Sequence, residues 1–126
     1  MTDADRWERG LDAYASQLGI EPADVEAWFA DRFGEGFGVE AISAAGGAWA
    51  DDVLSLRDRS LVVVAALAAQ GGVDARLRGH VRWAIDHGSS REELEALVTL
   101  LAVYIGFPKA SAAMEVVRGE LDTLGV

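Results

Sequence analysis

Apolar residues recur every three or four positions along most of the chain, the pattern of helices that each bury one face. From Ser55 to Gln70, the residues Leu56, Arg59, Ser60, Val63, Val64 and Leu67 fall on such a face, and Gly71-Gly72 supply a stop. The run Leu61-Val62-Val63-Val64 alone would suit a strand. The alanines that follow it and the 16-residue length select a buried helix. Asp74 to His87 predicts the next helix, closed by Gly88 as a left-handed cap, with His87 in the last turn at the negative end of the helix dipole. Ser90 with Glu93 reads as a capping box ahead of Leu94, Leu97, Val98 and Leu101, opening a helix that runs to about Ile105 and Gly106. Pro108 then starts a final helix as a first-turn proline, with Ala112, Ala113, Val116, Val117 and Leu121 as its apolar stripe.

The N-terminal part is more broken. Gly19-Ile20-Glu21-Pro22 is the first interruption, after which Asp24, Val25, Trp28 and Phe29 follow at helical spacing. Phe33 to Gly38 carries three glycines in five positions, which predicts a flexible turn or the mouth of a pocket. Val39 to Trp49 predicts a short apolar helix, weakened at Gly46-Gly47 by about 1 kcal/mol per glycine relative to alanine. About seven helices and no strand result, so the fold class is all-α.

A chain of 126 residues, 51% of them apolar, fits one compact domain over residues 1–126. The alanine-rich faces around Ala65 to Ala69 and Ala110 to Ala113 exceed what one small bundle needs, which predicts a homo-oligomer. The net charge of −10 argues against nucleic acid and anionic membranes as partners. Arg57, Arg59, Arg76, Arg78 and Arg82 cluster mid-chain; they read as a solvated face, or as a patch that reverses the potential locally for an anionic small molecule. With no cysteine there is no disulfide and no thiolate nucleophile. The polar start lacks an apolar signal region, and the longest apolar run, Leu61 to Ala69, is far below the roughly 20 residues that span a bilayer. A cytoplasmic location is the expectation.

Several short motifs occur in a telling order. Trp49 and Leu56-x-x-Arg59-Ser60-Leu61 precede Gly79-His80-Val81-Arg82-x-Ala84-x-x-x-Gly88. Ser90-x-Glu92-Glu93-Leu94 and Ala102-x-Tyr104-x-Gly106-x-Pro108-x-Ala110 follow. Over residues 49–114 this series resembles the carboxymuconolactone decarboxylase-like family, which shares the alkylhydroperoxidase-D-like fold. The resemblance implies an all-helical protein that assembles as a homotrimer or homohexamer, with active sites between helices or subunits and no redox centre in the decarboxylase branch. The peroxidase branch uses a Cys-x-x-Cys pair, so a chain without cysteine is not a thiol peroxidase. Three family positions that are usually polar are apolar here: Ala96, Leu100 and Ile105.

The resemblance singles out His80 as the proton carrier of a cofactor-independent lyase acting on a small cyclic carboxylate. Loss of carbon dioxide leaves an enolate, which needs oxyanion stabilisation and a proton delivered to carbon, and histidine titrates in the right range for that. Glu93 is the candidate to orient His80, beside its capping role. Arg59 and Arg82 are candidates to bind a carboxylate or enolate through their fixed guanidinium forks, and Arg59 equally to brace the fold. Trp49 and Tyr104 could wall the substrate cavity. His80 and His87 without a third ligand make no metal site, and no cofactor is expected. Two other readings compete: a decarboxylase, cyclase or isomerase tailoring a larger apolar substrate, and a non-catalytic oligomeric protein that binds a small molecule.

Overall fold

The computed structural model describes all residues, 1–126, and contains helices only. In chain order these are α1 (Asp3–Leu18), a single 3-10 turn (Pro22–Asp24), α2 (Val25–Phe33), α3 (Glu35–Ala48), α4 (Leu56–Gln70), α5 (Asp74–Asp86), α6 (Arg91–Ile105) and α7 (Phe107–Leu124). None is long and apolar enough to cross a membrane. The helices group into two compact units, Met1–Leu54 and Ser55–Val126.

In the first unit, Thr2 opens α1 with a capping box: its hydroxyl accepts from the Asp5 amide, and the Asp5 carboxylate accepts from the Thr2 amide. The main packing is α1 against α3, and glycine makes it close. A Cβ on Gly10 would fall far inside van der Waals contact distance of the Ile42 carbonyl oxygen, and one on Gly46 would do the same to the Arg6 carbonyl. Gly10 thus faces Ile42 while Arg6 faces Gly46, an antiparallel crossing in which backbone touches backbone. The helix expected over Val39 to Trp49 therefore starts earlier, at Glu35, and runs unbroken through Gly46-Gly47. What those glycines lose in helix propensity they return by letting two helices meet. Within the glycine-rich stretch only Gly34, at φ 90°, breaks the helix; Gly36 and Gly38 lie within α3 and line a cleft. The core is Ala15, Val25, Phe29 and Ile42, with Tyr14 and Trp28 edge-on to Phe29 at centroid distances of 4.7 Å and 5.0 Å.

The second unit is built on longer aliphatic stripes. Ser55 caps α4 by accepting from the Asp58 amide, and Ser90 and Glu93 form the capping box of α6. Val64, Leu77, Val81, Leu94, Val98, Val117 and Leu121 fill one core together with Ala68, Ala84, Ala102, Ala110 and Ala113. The alanines that suggested surplus faces therefore partly serve this core: Ala68, Ala110 and Ala113 are buried inside the unit. The apolar surplus lies elsewhere. Leu100, Val103 and Tyr104 on α6 and Phe107 at the start of α7 are exposed, Tyr104 to 81%. Arg91 ties the start of α6 to the end of α7 by donating to the Asp122 carboxylate and to the Val126 carbonyl.

Candidate active site

The second unit gathers its chemistry where the N-terminal turns of α4 and the C-terminal half of α5 meet. His80, Trp83 and His87 are spaced three and four residues apart, so α5 carries them as one row of rings. Ring centroids are 5.9 Å apart for His80 and Trp83, and 4.8 Å for Trp83 and His87. Trp83, at the centre of the row, is buried. At the far end, Ser60 of α4 places its hydroxyl 2.7 Å from Nδ1 of His87. A serine with 1% exposure needs such a partner, because an unsatisfied buried hydroxyl costs about 1–3 kcal/mol.

Both imidazoles are tuned toward the neutral form. Burial pushes the pKa of His80 below the usual 6.5, because desolvation penalises the cation. His87 is lowered mainly by burial and further by the nearby Arg59 charge; Asp86 and the hydrogen-bonded Leu56 carbonyl pull it the other way. His87 is thus the C-cap residue of α5, neutral near pH 7 and bonded to Ser60. The dipole explanation, which requires an imidazolium in the last turn, gives way to that bond.

Glu93 sits in the first turn of α6, where its carboxylate accepts from the Ser90 amide at 3.0 Å and pairs with Arg57 of α4. Arg57 also reaches Asp58 at 3.3 Å. Arg59 is half-buried and close enough to His87 to act on its titration, whereas Arg82 projects from the exposed side of α5. Tyr104 lies three turns of α6 beyond Glu93, about 16 Å of helix rise, on the exposed stripe that also carries Ala96 and Leu100. Two of the family positions that have turned apolar therefore face outward, while Ile105 packs half-buried against the core. Trp49 belongs to the first unit, half-buried at the C-cap of α3.

A cleft of about 420 Å³ opens at the other end of α4, lined by Leu67, Gly72, Asp74, Leu77, Lys109 and Ala112 among others. Lys109 donates to the Ala69 carbonyl there at 3.0 Å. None of the six residues singled out from sequence lines this cleft, although His80 is one turn beyond Leu77 on α5. No three His, Asp or Glu side chains converge in a way that could hold a metal ion.

Sequence reasoning named His80, Glu93, Arg59 and Arg82 but missed Ser60, Trp83 and Arg57 as parts of this array. The signal for Ser60 was present, since a serine at core spacing in an apolar helix must find a polar partner. Nothing in the sequence said that the partner stands 27 positions away.

Comparison with known proteins bears on what such an array does. Residues 40–119 match the carboxymuconolactone decarboxylase family, a span that contains all six candidate residues. The chain is also similar to a 4-carboxymuconolactone decarboxylase from Acinetobacter baylyi, with 31% identity over 128 residues that cover the whole chain and 94% of the relative.

Proposed function

Because the chain belongs to the carboxymuconolactone decarboxylase family, we propose that it is a decarboxylase-like lyase that acts on a small cyclic carboxylate without a bound cofactor. The observation that carries this reading is the ring row of α5. His80 is half-buried, with its ring centroid 5.9 Å from that of Trp83. In the reaction, the bond between the ring carbon and the carboxylate breaks, carbon dioxide leaves, and the electron pair stays on the substrate as an enolate. Arg59 binds the carboxylate and then the enolate oxygen through charge-assisted hydrogen bonds, whereas Arg82, two residues from His80 and so on the opposite side of α5, points away from that substrate. His80 delivers the proton to carbon. Burial leaves the resting imidazole neutral, and an arriving anion beside it raises its pKa, so substrate binding itself loads the proton. Glu93 acts at one remove: its pairing with Arg57 links α6 to the α4 turn that carries Arg59.

The test is His80→Gln assayed by carbon dioxide release from 4-carboxymuconolactone, the compound in the relative's name. Loss of about 10²–10⁴-fold in rate is expected with the fold intact, the usual worth of a positioned acid or base. Early melting with full turnover per folded molecule would make His80 structural. No turnover in the parent chain would favour the non-catalytic binding reading.

A second reading rests on Ala96 and Leu100. At these two positions family members are usually polar, and here they lie on the exposed face of α6 beside Val103 and Tyr104, which favours a larger, greasier substrate for the same helical shell. Both readings use an assembled protein. The exposed Leu100, Val103, Tyr104 and Phe107 support self-association as a trimer or hexamer, with a second copy covering that stripe. Light scattering coupled to size exclusion checks this, and a monomer at micromolar concentration would refute it. The family match crosses the boundary between Leu54 and Ser55, which supports one domain over 1–126.

A further inference from the structure

The first unit holds a cleft of about 550 Å³ that the proposed chemistry does not use. That volume falls within the range of small-molecule pockets, roughly 300–1,000 Å³. Val39 and Ile42 give it an apolar floor and Trp7 an aromatic wall, while Glu26 of α2 and Glu35 in the first turn of α3 put two exposed carboxylates on its rim. Gly36 opens its mouth: a Cβ there would meet nothing within 4 Å.

The surrounding charge is lopsided. Residues 1–54 contain twelve Asp and Glu against three arginines, a net −9 out of −10 for the chain. None of the three arginines lines the cleft. Arg32 is held over the Trp28 ring at 4.3 Å and donates to the Trp28 carbonyl, and Arg6 lies along Gly46 and Gly47. The rim carboxylates therefore face the cleft without a cation of their own unit beside it.

We propose that this cleft binds a small organic cation, a primary ammonium or guanidinium carried on an apolar body. Each part of the ligand has a matching wall: the head meets Glu26 and Glu35, the body meets Val39 and Ile42, and the ring face of Trp7 attracts the charge and covers the stem. The field of the unit draws cations in and turns anions away. A bare divalent ion fits poorly, since calcium takes six to eight oxygen ligands and the lining here is largely apolar. The site is independent of His80, so it stands or falls separately from the lyase reading.

Hexylammonium is a suitable probe, with hexanoate and hexanol as the anionic and neutral controls, followed by amide chemical shifts of the full chain. Hexylammonium alone should shift amides of α1, α2 and α3 around the cleft, with binding that weakens as salt is added. Glu26→Gln with Glu35→Gln should weaken it about tenfold, each exposed charge contributing roughly threefold. Gly36→Leu should fill the cleft and abolish binding while the helical signal stays unchanged, because the position is open and ordinary helix. Equal binding of hexanol, shifts confined to Ser55–Val126, or unchanged binding in both variants would each overturn the proposal.

Discussion

The two units solve the same problem, how to pack helices on a short chain, by different means. Residues 1–54 bring α1 onto α3 through glycine, with aromatic rings filling the gap beside them. Residues 55–126 interlock aliphatic side chains and alanines, and fix their helix starts with Ser55 and Ser90. Charge divides the same way, with the first unit near −9 and the second, with nine acidic and eight basic residues, near −1. Eight of the eleven basic residues lie in the second unit, where they nearly balance its carboxylates.

The glycine crossing is the sharpest place to break the comparison. Gly10→Ala or Gly46→Ala should destabilise the first unit by about 3 kcal/mol, at the upper end of overpacking costs, because the new methyl meets backbone that cannot swing aside. Gly36→Ala, in the same helix but in open space, should be neutral or stabilise by about 0.5–1 kcal/mol. Urea midpoints of the three variants decide it. Similar values for all three would mean that the crossing is not close.

In the second unit the corresponding weak point is polar. Ser60→Ala leaves Nδ1 of His87 without its partner and should cost about 1–3 kcal/mol, and His87→Gln should fall in the same range. A double variant that costs little more than either single one would show that the two act as a pair. Capping effects should be smaller. Ser90→Ala removes a bond to the Glu93 amide in a helix that anchors the core and should cost about 1 kcal/mol, whereas Thr2→Ala frays only the first turn of α1. Thermal unfolding distinguishes these two.

The smallest expected effect is the one set by pH. His80 and His87 both titrate below 6.5 in the folded chain, so the unfolded chain binds more protons once pH drops past that point. Stability is therefore full above about pH 6.5 and declines as pH falls toward the folded pKa values. Urea midpoints at pH 7.5 and 5.5 should show the decline, and His80→Gln with His87→Gln should flatten it. A decline that survives in the double variant would assign it to the carboxylates instead.

Local chemistry determined much of this protein from the sequence alone. The 3.6-residue period, the Ser90 and Glu93 box, Gly88 and Pro108 placed the helices of the second unit within a residue or two, because caps and breakers act through bonds to near neighbours. The order of His80, Glu93 and Tyr104 carried the family resemblance. Tertiary structure alone decided what those residues touch. Gly46 read as a weakness in α3, and only the Arg6 carbonyl opposite it makes glycine a requirement. Glu93 read as a partner for His80, and its place at the start of α6 gives it to Ser90 and Arg57. His87 and Ser60 read as a helix end and a core position, and two helices had to pack before one could hold the other. Helix propensity and capping are settled within one turn of chain, whereas burial, pairing and pKa depend on which distant surfaces meet, and a linear pattern does not state that.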